Sequence, residues 1–288
     1  MSFNKAYQSA VQNILDNGSW LETRGTKSLY VFNQTIQHDL RNSFPILSLR
    51  NCYPKGSIQE AQQDLNPNGF NINNLQSKGL RKAWQPFANE WGIVPNTYNR
   101  SLRQWPGSSS LPFTNRLLGN QSHKPVDQFS KALKMLRTDP TNRSNVIQIH
   151  NPNSTNSQTT CQTSVVLSSD GKHLDLQVMA RSSDIMFGFV GDFIRYSTFV
   201  HLLAYLSGLS ARYIAFTATN QHIYQSDISD AIAIFASSYN EPTKPQFDIT
   251  SADDDFNFTY KLTDYQPDKS FKLSSKTITV GDLSSYGL

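Results

Sequence analysis

The sequence predicts a single α+β domain. Three observations carry this. Helix-period stretches and β-like runs are interspersed along the 288 residues, with no repeat and no linker between blocks. Asp170-Gly171 sits between two β-like runs, which is a strong hairpin signal. The stretch Phe193–Leu206 is apolar on most faces, so a helix there must be central and buried.

Residues 3–17 read as an amphipathic helix with Tyr7, Val11, Ile14 and Leu15 on one stripe, stopped by Gly18. Ser28–Leu40 reads as a strand or a bent pair of strands, and residues 57–64 and 77–91 as short helices. Residues 106–125, rich in Ser, Gly, Asn and Pro, read as a loop or insertion. Residues 126–137 form a helix with Phe129, Leu133 and Leu136 on its apolar face, followed by a strand over Asn145–His150. A two-residue turn centred on Asp170-Gly171 pairs residues whose numbers sum to 341, which sets Cys161 opposite Ala180 and beside Arg181. A guanidinium that close lowers a cysteine pKa and favours the thiolate. After the loop Phe187-Gly188-Phe189-Val190-Gly191, Asp192 reads as the N-cap of the buried helix, and Gly208 ends it. Within that helix His201 reads as a satisfied core histidine and Arg195 as a surface residue. Arg212–Thr219 is a strand followed by Gln221–Tyr224, residues 226–237 are helical, and the chain from Thr250 alternates as short strands do.

Composition narrows the function classes. Charged residues are only 17% of the chain, and polarity rests on 24 Asn and 20 Gln. The 33 aromatics argue against disorder. No apolar run approaches the ~20 residues of a membrane span, and the N-terminus lacks signal-peptide features. Two cysteines, Cys52 and Cys161, cannot build a disulfide framework or a four-thiolate metal site; Cys52 reads as a buried structural thiol. No histidine pair has metal-ligand spacing. Residues 1–150 carry +9 (17 basic, 8 acidic) and residues 151–288 carry −5 (9 basic, 14 acidic). That asymmetry suits an anionic ligand, but without a block of consecutive basic residues it does not suggest a nucleic-acid groove.

From Phe44 to Tyr224 a series of motifs falls in one order: Phe44-Pro45 with Cys52 and Glu60; Trp84, Tyr98 and Trp105-Pro106; Asp139-Pro140-Thr141-Asn142-Arg143; Cys161; Arg181-Ser182-Ser183-Asp184; Phe187-Gly188-Phe189 with Asp192; and His222-Ile223-Tyr224. The series resembles the thymidylate synthase superfamily, and within it the pyrimidine-nucleotide hydroxymethylases of T-even-type phages. The resemblance implies a mixed β-sheet with flanking helices, packed by its sheet in a homodimer. It also implies one domain over 1–288, with 240–288 a divergent C-terminal region, in a cytoplasmic enzyme of nucleotide biosynthesis.

The chemistry explains the residue types. C5 of a pyrimidine is a poor nucleophile. Thiolate attack at C6 makes an enamine-like ring that is nucleophilic at C5. C5 can then take the methylene group of 5,10-methylenetetrahydrofolate, the implied co-substrate, with no metal. Water completes a hydroxymethylation; hydride completes a methylation. The resemblance makes Cys161 the nucleophile and Glu60 the group that handles protons. Arg24, Arg181 and Ser182 would bind the 5′-phosphate, with Arg143 reaching it from the other subunit. His222 and Tyr224 would bind the sugar, and Trp84, Asp184 and Tyr98 belong to the folate side. Asp192 stands where synthases carry Asn. An amide can both donate to uracil O4 and accept from its N3–H, whereas an ionised carboxylate only accepts, which suits the 4-amino group of cytosine.

Departures from the synthase pattern lie at Ser144, in place of a second arginine, at Thr160 and Gln162 flanking the cysteine, in the 106–125 stretch and in the SSYGL terminus. The leading expectation is a deoxycytidylate 5-hydroxymethylase serving phage DNA modification, binding a pyrimidine monophosphate and folate but no membrane or nucleic acid. A dUMP-using synthase or hydroxymethylase, a cytidylate C5-methylase, CMP as substrate, and a non-catalytic nucleotide-binding relative remain open.

Overall fold

The first helix, α1 (Phe3–Asn17), has its N-cap at Ser2 and buries Phe3, Tyr7, Ala10, Val11 and Ile14. It lies against β2 (Thr26–Asp39), and the Tyr7 hydroxyl donates to Ile185 O at 3.0 Å. The Gly18 amide returns to Ile14 O at 3.0 Å and closes the helix as expected. The chain is described by a computed structural model over residues 1–23, 25–95, 97–105, 125–151, 160–238 and 244–274. Arg24, nearly all of the 106–125 stretch and the SSYGL terminus lie outside the described residues.

Among the described residues, seven strands form one mixed sheet: β1 (Ser19–Thr23), β2, β3 (Val146–Gln148), β4 (Gln162–Ser169), β5 (His173–Ala180), β6 (Ser183–Asp184) and β7 (Ser210–Tyr224). Their order is β1-β2-β7-β5-β4-β3, with β6 also pairing β7. The β5–β7 and β6–β7 pairs are parallel; the others are antiparallel. β2 bends at Asn33, where φ is +55°. β7 is one continuous strand, because β2 pairs along most of one edge while β5 and then β6 pair along the other. β1 has no sequence signature, since all five of its residues are exposed and nothing alternates. A separate hairpin joins β8 (Gln246–Ala252) and β9 (Phe258–Thr263).

The helices α2 (Pro54–Leu65), α3 (Lys78–Trp84), α4 (Tyr98–Arg103), α5 (Gln128–Thr138), α6 (Gly188–Ser207) and α7 (Ile228–Ala236) flank the sheet. α6 is the central one: 13 of its residues are buried, and it packs on α2, β5 and β7. Gly208 ends it at φ +73°, a left-handed position that glycine takes without strain.

The structure corrects the α6 start. It begins at Gly188, with Phe187 at the N-cap position. Asp192 therefore lies inside the helix rather than capping it, which turns its carboxylate into a lateral group. His201 is half-buried, with its ring edge-on to Phe44 and Phe247, and among the described residues its Nε2 has no hydrogen-bond partner, so it is not the satisfied core histidine that its setting in the helix suggested. Burial holds its pKa down at about 4, so it stays neutral.

The β4–β5 register also differs from the two-residue-turn expectation. Ser169 pairs with Leu174, a sum of 343, because Asp170 Oδ1 accepts from the amides of both Lys172 and His173 and widens the turn. A bulge at Thr163 then absorbs one residue, so Gln162 faces Ala180. The Arg181 amide donates to Cys161 O at 2.9 Å, which places these two residues opposite each other.

The amide-rich composition has a structural use. Asn99 Nδ2 contacts the carbonyls of Gln63, Asp64 and Asn66 at 2.7–3.1 Å, and Gln128 Nε2 joins Ser101 O and Gln148 O at 2.7 Å each. Amides satisfy buried backbone groups without the desolvation penalty of a charge.

Candidate active site

Cys161 immediately precedes β4 and is exposed. Arg181 follows β5 directly, and its Nη2 lies 4.0 Å from Cys161 Sγ while its Nε donates to Thr160 O at 3.1 Å. The surroundings of the sulfur push the Cys161 thiol pKa up; Arg181 pulls it back, helped by Arg195 and opposed by Asp192 and Asp184. The thiolate expected from the arginine alone is thus outweighed in the ligand-free chain, because crowding by protein atoms penalises the charged form.

Asp192 lies on α6, facing the start of β4. Gln162 Nε2 donates to its Oδ2 and Arg195 Nη2 to its Oδ1, both at 2.5 Å. Arg195 is not at the surface: it is buried, ion-paired to Asp192 and, at 3.5 Å, to Asp64 Oδ2 on α2. Its guanidinium carbon lies 4.3 Å from the Tyr98 ring centre and 5.2 Å from that of Tyr196. Burial raises the pKa of Asp192 against the pull of Arg195, and raises Asp64 to about 7.

Glu60 is one turn before Asp64 on α2. Trp84 Nε1 at the end of α3 donates to Glu60 Oε1 at 2.7 Å. Burial pushes the Glu60 pKa up; Arg195 and the Trp84 bond pull it down. The Trp84 ring packs against Phe70 at 4.9 Å. Tyr98 hydrogen-bonds the backbone of Cys161, and burial drives its phenol pKa far above the usual range.

Asp184, on β6, is in register with His222 on β7. Burial lifts the Asp184 pKa to about 7, while its Oδ1 accepts from Met186 N at 2.9 Å. His222 Nδ1 lies 3.0 Å from Asn220 Oδ1, its ring is 5.0 Å edge-on from Tyr224, and burial lowers its pKa. Ser182 bridges β5 and β6. Cys52 is half-buried rather than buried, with its thiol 3.5 Å from Arg50 O.

The fold therefore gathers Cys161, Arg181, Asp184, Asp192, Glu60, Trp84 and Tyr98 around one region, with Ser182, His222 and Tyr224 on the adjoining strands. It does not bring Arg143 there within one chain: that residue is exposed on the turn before β3. Sequence reasoning missed Asp64, Gln162 and the burial of Arg195. The Glu60-x-x-x-Asp64 and Asp192-x-x-Arg195 spacings, each placing two charges on one helix face, were the available signals. Among the described residues, no group of three or more His, Cys, Asp or Glu could hold a metal ion, and no helix is long and apolar enough to cross a membrane.

A mixed sheet presenting a cysteine beside an arginine, with buried and half-buried carboxyls from two helices close by, is the frame of a one-carbon transferase acting on a pyrimidine nucleotide. The thymidylate synthase family profile matches residues 5–276, and the chain belongs to that family. It is 24% identical over 273 residues to a thymidylate synthase of Corynebacterium aurimucosum, covering 92% of this chain and 95% of that protein. The family takes a pyrimidine nucleotide and methylenetetrahydrofolate.

Proposed function

We propose that this protein is a folate-dependent cytidylate 5-hydroxymethylase, converting dCMP, methylenetetrahydrofolate and water to 5-hydroxymethyl-dCMP and tetrahydrofolate. The observation that carries the reading is Asp192. Each of its oxygens already accepts from a donor, Gln162 Nε2 or Arg195 Nη2, so the carboxylate presents lone pairs rather than a proton. A 4-amino group satisfies it. Uracil O4 would face it lone pair to lone pair, a mismatch worth several kcal/mol when buried, on the order of 10²-fold or more in discrimination.

In this reading Cys161 adds to C6 of the base, and Arg181 and Ser182 hold the phosphate. Arg24, outside the described residues, would join them, and Arg143 would reach the same phosphate across a homodimer interface. His222 and Tyr224 bind the sugar hydroxyl. Glu60, steadied by Trp84, moves protons at the base and orders the attacking water. The folate supplies an electrophilic one-carbon unit. Trp84, bonded through its indole N–H to Glu60, Tyr98 beside Cys161, and Asp184, with a half-buried carboxyl beside His222, fit a flat heterocycle bearing N–H donors. Phage DNA modification would consume the product, in the host cytoplasm.

The test is to supply methylenetetrahydrofolate with dCMP, CMP or dUMP and weigh the products. A mass gain of one hydroxymethyl group on dCMP is the expected result. Faster turnover of dUMP, or a methyl product, would replace the reading with a synthase or a methylase. Binding of dCMP with no exchange at C5 would point to a non-catalytic relative.

A further inference from the structure

The buried pair Asp64–Arg195 has no role in the scheme above. It contacts Asp192 directly, and the Cys161 thiol feels the charge of Arg195 without a hydrogen bond to it. Arg195 Nη2 meets Asp192 Oδ1 at 2.5 Å, and Arg195 Nη1 meets Asp64 Oδ2 at 3.5 Å. The side chains of Arg195 and Asp64 are only 6% and 2% exposed, so this is not a solvated surface contact. The guanidinium carbon lies over both the Tyr98 and Tyr196 rings, at 4.3 and 5.2 Å from their centres. On the other side of Asp192, the amide of Gln162 is fully buried and can only turn its nitrogen to the carboxylate. Among the described residues, Gln162 Oε1 has no hydrogen-bond partner. The groups facing Asp192 are thus Gln162 from β4, Arg195 from its own helix and Tyr98 from α4, with Glu60 and Asp64 of α2 and the Cys161 thiol close by.

A carboxyl in such a pocket has two states with different recognition. Protonated, it is both donor and acceptor. It can then serve uracil, donating to O4 and accepting N3–H, or cytosine, donating to N3 and accepting the 4-amino group. Ionised, it accepts only, so where it faces the exocyclic group at C4 it takes the 4-amino group of cytosine and repels uracil O4. Whatever fixes the ionised state therefore fixes the base preference.

We infer that Arg195, anchored by Asp64, is a positioning residue that holds Asp192 as an acceptor-only carboxylate and thereby sets the preference for a 4-amino pyrimidine. This rests on the cytidylate reading and adds the device that enforces it. Arg195 acts through Asp192, as a buried cation bridging two carboxyls can.

The test measures kcat/KM for dCMP and dUMP in the full-length wild type, Arg195→Gln, Arg195→Lys and the charge-balanced Asp64→Asn/Arg195→Gln variant, with unfolding temperatures as the folding control. The double variant removes one cation and one anion together, so it carries the test if Arg195→Gln alone does not fold. The expected result is a fall of at least about tenfold in the dCMP/dUMP ratio for the Gln variants, with much of the ratio retained by Lys. In an Asp192→Asn background no charge remains to be held, so adding Arg195→Gln should leave the ratio where Asp192→Asn put it. Folded Gln variants that discriminate as the wild type does, or an equal effect in the Asp192→Asn background, would overturn the inference alone. A wild type that prefers dUMP would overturn the cytidylate reading and the inference with it.

Discussion

The indole Nε1 of Trp84 donates to Glu60 Oε1 at 2.7 Å, joining the end of α3 to the middle of α2. Glu60 sits in a setting that already raises its pKa, and this bond is one of two influences that lower it. Trp84→Phe removes the donor and keeps most of the ring. Losing a hydrogen bond to a charged group costs about 1.5–3 kcal/mol, which corresponds to about 1–2 units of pKa. The acidic limb of the kcat/KM profile should move to higher pH by about that much. A profile that stays in place would show that Glu60 does not titrate in the rate-limiting step.

Cys161 carries the covalent chemistry in the proposed scheme. Cys161→Ala should cut turnover by at least about 10³-fold and abolish tritium release from C5 of labelled nucleotide, while nucleotide binding persists. Retained tritium release would remove the cysteine from the nucleophile position.

The same thiol has its pKa raised by its surroundings and pulled down by Arg181. In a Cys52→Ser background, alkylation of Cys161 should therefore be slow at neutral pH and accelerate as pH rises above the ordinary thiol range. Arg181→Gln should slow it further at any fixed pH in that range. Faster alkylation in the variant would mean that the arginine shields the sulfur instead of polarising it.

Asp64 has a folded-state pKa of about 7 against an ordinary value of 3.8, with burial the largest cause. Between those values the folded chain binds the extra proton. Stability from this group is complete below the lower value and is lost as pH rises through the upper one. Asp64→Asn is free of that loss. The difference in unfolding temperature, variant minus wild type, should grow between pH 5 and pH 8, reflecting up to a few kcal/mol at about 1.4 per pKa unit. A difference that shrinks over this range would place a fully compensated carboxylate at Asp64.

Arg143 stands exposed on the turn before β3, whereas Cys161 lies at the start of β4. If it serves a partner's phosphate, Arg143→Ala and Cys161→Ala chains should each be nearly inactive, yet recover activity on mixing. Random pairing puts one intact site in half of the dimers, about a quarter of the wild-type sites. No recovery after verified subunit exchange would confine each site to one chain.

Local patterning carried much of this protein. The α1 stripe, the Gly18 and Gly208 stops, the Asp-Gly turn and the ordered motifs around Cys161, Arg181 and His222 are all legible, because periodicity, turn chemistry and motif order are properties of neighbouring residues. Even the Cys161–Arg181 juxtaposition was reached, although the turn proved wider and a bulge restored half of the offset. What sequence could not decide was burial and partnership between distant segments. Asp192 looks like a helix cap and Arg195 like a solvated helix charge until α2 brings Asp64 against them and β4 brings Gln162. The Cys161 pKa likewise depends on how many protein atoms crowd the sulfur, which no spacing reveals. Desolvation and long-range charge pairing are set by packing, and packing alone turned a run of ordinary polar residues into a buried constellation around one carboxylate.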